Sequence, residues 1–280
     1  MLPLVGASGA WLGSFIISGG FLLMGGRRQY GMASYWRRMR PGAGRLRILL
    51  LCWRQFASFG RILCDRLLVY RQPERFEFAV EGGDHLLGAV TAGTGCILLS
   101  AHLGNWEVSG LRLKELIKGR HEVYVVMVRD DLPRVQSYVD ERMRGRDITV
   151  IDPHDGLGAS MAISGALRDG HTVCMLGDRV FGGQGSIAVD FLGGTADFPL
   201  GPFQAAAISG VPIVVSFLIK TGLRSYLLRA DRPWRIPLRP RGPERDAAIA
   251  SAVRRWARRL ELEVRRNPFQ WHNFFEFWRR

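Results

Sequence analysis

The chain contains little lysine and little cysteine. Only three of its 39 basic residues are lysine, and with 25 acidic residues the net charge is +14. Because so positive a chain attracts negative charge, the expected partners are anionic lipid surfaces, phosphorylated ligands or acidic carrier proteins. None of the four cysteines belongs to a C-x-x-C pair, which indicates ordinary thiols in a reducing, cytosol-facing compartment.

Motifs that would identify a metal, a nucleotide or a protein nucleophile are also missing. There is no His/Cys cluster with zinc spacing, no G-x-G-x-x-G and no P-loop, so a structural metal, a dinucleotide and ATP are disfavoured. The absence of a G-x-S-x-G elbow argues against a serine esterase. The arginines are dispersed and no nucleic-acid motif is present, so nucleic acid is not an expected partner.

Charged side chains are absent from residues 1–26, and arginines begin at Arg27. About 20 apolar residues suffice to span a bilayer, so this stretch predicts a membrane-dipping or membrane-spanning anchor. Its basic residues follow the apolar run, which does not fit a signal peptide. The alternative is a buried helix of the domain. A Pro/Gly break ends the segment, so the chain divides into an anchoring segment, 1–44, and a second domain, 45–280.

The next stretch, residues 45–70, predicts a long amphipathic helix. Arginines lie mostly off its apolar stripe, an arrangement that suits a helix in a membrane interface and equally an ordinary packing helix. The stripe consists of Leu49, Trp53, Phe56, Leu63, Leu67 and Tyr70.

From residue 76 onward, short apolar runs alternate with helical patterns. This alternation is typical of βαβ units and predicts an α/β fold, with a mostly parallel mixed sheet covered by helices on both faces and preceded by N-terminal membrane-associated helices. Residues 211–219 and 225–229 predict an antiparallel pair, and 244–266 predicts a closing helix with an arginine-rich face. Other strands are predicted at 76–80, 96–101, 123–128, 148–151, 172–176 and 187–191.

His102 and Glu107 stand where the strand at 96–101 gives way to a helix. Unpaired N–H groups at a helix start favour negative charge. Gly104 allows His102 to lie in a turn before the helix, where Glu107 can hold one ring nitrogen while the other takes a proton from a hydroxyl. This arrangement is general-base chemistry without a protein nucleophile. The alternative is a structural histidine and a surface glutamate.

Four blocks, in this order and spacing, resemble the lysophospholipid acyltransferase superfamily over about residues 45–280. The nearest branch is the bacterial lipid A biosynthesis (lauroyl/myristoyl) acyltransferase-like group. The ending NPFQWHNFFEFW is similar to the tail of a subgroup, whereas Arg129-Asp130-Asp131 departs from the Arg-Pro of the lipid A enzymes and leaves the acceptor open. The blocks are AHLGNWE, which is similar to the family's H-x4-D/E motif, VMVRDDLPRVQSYVDERMR, MLGDRVFGGQGSIAVDFLGG and ADFPLGPFQAAAISGVPIV.

The resemblance implies an O-acyltransferase that moves a fatty acyl group from an acyl thioester to a hydroxyl of a lipid or glycolipid. His102 is then the base and Glu107 its partner. Arg129 of the second block and Arg179 of the third then hold phosphate of the donor or the acceptor, or alternatively form structural ion pairs. Asp178 is expected to position Arg179. No metal is expected, and no cofactor other than the acyl donor. Substrate binding is expected of Asn105, Trp106, Arg129, Asp178, Arg179 and Pro199.

The charge of +14 favours acyl carrier protein, which is acidic, over coenzyme A as the carrier of the acyl group. The anchor and its arginines predict a protein at the inner membrane, with its domain on the cytoplasmic face against an anionic lipid surface. Two other functions remain open. One is a thioesterase that uses the same His–Glu pair on water, and the other is a non-catalytic protein that binds anionic lipid.

Overall fold

The computed structural model describes residues 13, 27–109, 113, 122–128, 148–181 and 183–279. Two predictions lie outside the described residues: the anchor over 1–26, of which only Gly13 is described, and the substrate-binding role of Arg129. In the part of the chain that is described, no helix is both long enough and apolar enough to cross a membrane.

The central element is a mixed sheet of seven strands. Its strands are β1 (Glu77–Glu81), β2 (Cys96–Ser100), β3 (Val123–Val126), β4 (Ile148–Ile151), β5 (Thr172–Leu176), β8 (Ile213–Lys220) and β9 (Ser225–Ala230). They stand in the order β1-β9-β8-β2-β5-β3-β4. Strands β8, β2, β5, β3 and β4 run parallel, while β9 is antiparallel to β8, and β1 is parallel to β9. The predicted mostly parallel mixed sheet is confirmed.

Helices cover both faces of this sheet. They are α1 (Arg27–Met39), α2 (Arg45–Arg71), α3 (Gly83–Thr91), α4 (Leu157–Arg168), α5 (Gly201–Ser209) and α6 (Pro243–Arg266). Along β2, Ile97 and Leu99 join one buried cluster, which includes residues of α4, α5 and α6, whereas Cys96 and Leu98 join a second cluster with α3. Both faces of β2 are therefore buried, which explains its uninterrupted apolar sequence.

A separate hairpin joins β6 (Ser186–Phe191) and β7 (Gly194–Pro199). The sequence pattern predicts only the first of these two strands. The two residues of the turn, Leu192 and Gly193, both have positive φ, at 51° and 74°. Such two-residue turns favour Asn-Gly or Asp-Gly, and a leucine rarely adopts this conformation. Residue preferences therefore do not predict this turn.

Helix α1 packs into the domain, although the predicted boundary at residue 44 separates the two. Tyr35 and Trp36 are fully buried, and Trp36 donates through Nε1 to the Gln55 side chain at 2.8 Å. The Tyr35 hydroxyl donates to the carbonyl of Pro268, near the other end of the chain, at 2.9 Å. The packed domain thus begins before residue 45 and includes α1.

Candidate active site

The site forms at the carboxyl ends of the neighbouring parallel strands β2 and β5. Ser100 and Leu176 are paired in this register, and His102 and Asp178 each lie two residues further on. Nδ1 of His102 is 2.9 Å from Oδ1 of Asp178. Ligands of open α/β sheets commonly bind in the crevice outside the carboxyl ends of the strands, which is this edge.

Asp178 is buried, yet each of its oxygens accepts hydrogen bonds. Oδ2 accepts from the backbone N–H of His102 and from Nε1 of Trp271, both at 3.1 Å. Burial alone raises the pKa of a carboxyl group, but the charges of His102 and Arg179 and the hydrogen bonds from His102 and Trp271 lower the pKa of Asp178 to about 2. Asp178 is therefore ionised at neutral pH.

An ionised Asp178 determines which nitrogen of His102 carries the proton. The carboxylate can only accept, so Nδ1 of a neutral His102 donates to it and Nε2 is the basic nitrogen. Among the described residues Nε2 has no hydrogen-bond partner, and the side chain is 17% exposed. His102 thus combines a fixed ring with a free acceptor nitrogen, as a general base requires.

One cavity opens beside His102, and a second cavity adjoins the first. The first has a volume of about 250 Å³, and its lining includes His102, Trp106, Phe181 and Arg179. The second, of about 490 Å³, extends between α4, α5 and the start of α6. Five residues line both cavities: Val126, Pro153, Met175, Gln184 and Gly201. Because these walls are shared, the two cavities lie directly next to each other.

The structure corrects the predicted partner of His102. The Glu107 carboxylate lies 2.6 Å from Nη2 of Arg66 on α2, and no hydrogen bond joins it to His102 among the described residues. Gly104 has a positive φ of 70° in the turn after His102, but the bonds from His102 to Asp178 hold the imidazole toward β5. Burial raises the pKa of Glu107, and Arg66 counteracts this rise. The carboxylate that orients His102 is that of Asp178.

The other predicted substrate-binding residues have different environments. Trp106 and Pro199 line the first cavity, and the Trp106 ring meets His102 edge-on, with centroids 6.1 Å apart. Asn105 is buried instead, and its side-chain amide donates to the Tyr226 hydroxyl at 3.3 Å. Its backbone N–H donates to the carbonyl of Leu218 in β8 at 2.8 Å, which holds Asn105 against the sheet. Asn105 therefore contacts the core rather than the cavity wall.

Arg179 is partly engaged by the protein itself. It lines the first cavity, but Nη2 donates to the carbonyl of His272 at 2.7 Å, so part of its guanidinium is engaged. Asp178, expected to position Arg179, accepts its hydrogen bonds from His102 and Trp271. Its charge does act on Arg179, since burial lowers the pKa of Arg179 and Asp178 raises it.

Trp271 and His272 also adjoin the site, although no sequence pattern predicts a role for either. His272 is buried and packs against Phe59, with ring centroids 5.0 Å apart. Burial, with the positive charges of His102, Arg179 and Arg66, lowers the pKa of His272 to about 3. The aromatic tail NPFQWHNFFEFW was the only signal for these two residues. Among the described residues, no group of three His, Cys, Asp or Glu is placed to hold a metal ion.

Comparison with known proteins supports the acyltransferase resemblance. The family model for bacterial lipid A biosynthesis acyltransferases matches residues 51–280. Phosphatidylinositol mannoside acyltransferases of Mycobacterium tuberculosis strains H37Rv and CDC 1551 are 25% and 24% identical over 229 and 243 residues. These alignments cover 81% and 79% of this chain, and the chain spans 66% and 68% of those proteins.

A solved structure, the 1-acyl-sn-glycerophosphate acyltransferase PlsC of Thermotoga maritima, is also similar. It is 14% identical, and the match covers 89% of this chain and 97% of that one with a TM-score of 0.39.

Proposed function

The chain belongs to the bacterial lipid A biosynthesis acyltransferase family, and from this membership we propose that it transfers a fatty acyl group from an acyl thioester to a hydroxyl of a glycolipid. The observation that carries the proposal is the His102–Asp178 pair, which leaves Nε2 free beside the first cavity. A glycolipid acceptor is proposed because the family is named for lipid A biosynthesis and the similar proteins are phosphatidylinositol mannoside acyltransferases.

In the proposed reaction Nε2 of His102 removes the proton of the acceptor hydroxyl as its oxygen attacks the thioester carbonyl. A new C–O bond forms, the C–S bond breaks, and the imidazolium returns its proton to the leaving thiolate. Asp178 stabilises the imidazolium and keeps the ring in place. No protein side chain carries the acyl group at any stage. General-base assistance of this kind contributes about 10²–10⁴ in rate.

The acyl chain is proposed to occupy the two adjoining cavities. The second cavity is lined in part by small and apolar side chains, among them Ala159, Ile163, Ala205 and Ile249, which suit a hydrocarbon chain. Trp106 and Pro199 border the end nearest His102, so they contact the thioester. Arg179 and Arg129 remain our candidates for binding phosphate of the donor or the acceptor.

Acyl carrier protein is the proposed carrier of the acyl group, because the chain has a charge of +14 and such carriers are acidic. Electrostatic steering weakens as the Debye length falls from about 10 Å at 0.1 M salt to about 3 Å at 1 M. The rate with acyl carrier protein should therefore fall steeply over this range. A flat salt response, or faster transfer from acyl coenzyme A, would assign coenzyme A as the donor.

Membrane association at the cytoplasmic face of the inner membrane is proposed from helix α2. Its outer side exposes Leu46, Leu49 and Leu50 beside Arg45 and Arg47. Exposed leucines next to arginines are the pattern of a helix that lies in the interface of an anionic bilayer.

Thioester loss measured with and without a glycolipid acceptor tests the reaction. A transferase consumes the thioester only when the acceptor is present and produces an acylated lipid, which mass spectrometry detects. Equal loss without acceptor, abolished by His102→Ala, would instead identify a thioesterase. Thioester loss that continues in the His102→Ala variant would show that His102 is not the base.

A further inference from the structure

The end of the chain lies directly against the catalytic turn. The N–H of Gly104 donates to the carbonyl of Gln270 at 2.9 Å, and the N–H of His272 donates to the carbonyl of His102 at 2.8 Å. Leu103 and Trp271 lie between these bonds in an antiparallel bridge. The C-terminal segment therefore holds the backbone of the turn that carries His102.

The Trp271 side chain makes a second, separate contact with the site. Its Nε1–H donates to Oδ2 of Asp178 at 3.1 Å, and Oδ2 accepts its other bond from the backbone of His102. Oδ1 of the same carboxylate faces Nδ1 of His102. Since one oxygen is occupied by Trp271 and the turn, the other is left for the imidazole, and rotation of the carboxylate would break all three contacts.

We propose that Trp271 is a positioning residue for the reaction, acting through Asp178 to hold the imidazole of His102. The inference rests on the proposed function, in which His102 is the base. It does not follow from burial alone, because any large aromatic residue fills space whereas only an N–H donor supplies the second hydrogen bond to Oδ2. A carboxylate that is buried as an anion depends strongly on each donor it retains.

Trp278 provides a matched control. It is also buried, and its Nε1–H also donates, at 2.8 Å, but to the backbone carbonyl of Phe191. Its ring contacts that of Trp271, with centroids 6.3 Å apart, so both belong to one aromatic cluster. Replacing either tryptophan with phenylalanine removes similar packing and one hydrogen bond, but only the change at residue 271 affects Asp178.

The experiment compares Trp271→Phe with Trp278→Phe in the full chain. We expect Trp271→Phe to lower kcat about 10- to 100-fold, since a hydrogen bond to a charged group contributes that much, with KM for donor and acceptor changed less than about twofold. Trp278→Phe should change kcat less than about twofold at a similar loss of melting temperature. Equal kcat losses in the two variants would overturn the proposal.

A double-mutant cycle shows whether Trp271 acts through Asp178. If it does, Trp271→Phe added to Asp178→Asn should cost less than about a further twofold, because the contact it serves is already lost. Losses that multiply would assign Trp271 a general packing role.

If Trp271→Phe fails to fold, benzothienylalanine at position 271 keeps the bicyclic shape without the N–H, and an unchanged kcat there rejects the proposal. His102→Ala, measured in parallel, tests the proposed function separately.

Discussion

Nδ1 of His102 lies 2.9 Å from Oδ1 of Asp178, a residue 76 positions further along the chain. The pair exists because β2 and β5 are neighbours in register, so that the residues following them meet at one edge of the sheet. This contact fixes the tautomer of a neutral His102 and supplies the carboxylate that would orient His102 as the proposed base. It also makes the roles of the two carboxylates, Asp178 and Glu107, separable by experiment.

Removing the base should abolish transfer. His102→Ala is expected to lose about 10²–10⁴ in kcat, the range of general-base assistance, while the melting temperature stays near that of the wild type. Circular dichroism and a thermal melt on the same preparation check folding. A folded variant that keeps more than about a tenth of the activity would show that His102 is not the base.

The two carboxylates should differ in their effects. Asp178→Asn keeps the shape but removes the charge that orients and stabilises the imidazolium, so its loss should approach that of His102→Ala. Glu107→Gln is expected to lose less than about tenfold, because Glu107 pairs with Arg66. Arg66→Gln is the matched variant and should have a similar effect. The assignment fails if Glu107→Gln is as inactive as Asp178→Asn.

His272 should make stability depend on pH. Its pKa is lowered to about 3 in the folded chain, against about 6.5 unfolded, so below pH 6.5 the unfolded chain binds a proton that the folded chain does not. The free energy of unfolding therefore decreases as the pH is lowered below 6.5, and at pH 5 it is about 2 kcal/mol smaller than at neutral pH. Chemical denaturation at pH 7 and pH 5 should show this fall in the wild type.

His272→Phe is the variant that isolates this effect, since it retains an aromatic ring beside Phe59. Its stability should fall less between pH 7 and pH 5 than that of the wild type, while all other titrating groups are shared. Parallel pH dependences in the two proteins would mean that His272 is protonated equally in the folded and unfolded chains.

The second cavity should limit the length of the acyl chain. Ser164 lines this cavity, so Ser164→Phe should narrow it and shift the preference toward shorter acyl thioesters. Ala162, exposed on the same helix but outside the lining, is the matched control, and Ala162→Phe should leave the preference unchanged. Competition between thioesters of different length measures the shift. An identical preference in both variants would place the acyl chain elsewhere.

The exposed leucines of α2 should contribute to membrane binding. Leu46 and Leu50 are 72% and 48% exposed, so replacing both with glutamate should weaken binding to vesicles that contain anionic lipid, without loss of stability. Leu262→Glu, at an exposed position of α6, is the control. Co-sedimentation with vesicles gives the bound fraction. Equal binding by the double variant and the control would exclude α2 as the contact surface.

Much of the fold was predictable from local patterns in the sequence. Apolar runs such as Cys96–Ser100 alternate with helical periodicity, and this alternation indicates a parallel sheet buried on both faces. The position of His102 at the end of a strand was predictable in the same way. Local patterns failed at the Leu192–Gly193 turn, where Leu192 has a positive φ, its side chain is buried and its N–H donates to the Glu261 carboxylate at 2.8 Å.

The sequence by itself determined the α/β class, the candidate base and the strongly positive net charge, because each depends on composition or on neighbours in the chain. Only the tertiary structure decided which carboxylate meets His102. Glu107 is close in sequence, but the strand order brings Asp178 beside the imidazole and α2 brings Arg66 to Glu107. Trp271 reaches the same site from the end of the chain. Hydrogen-bond partners of this kind depend on strand order and register, which periodicity does not encode.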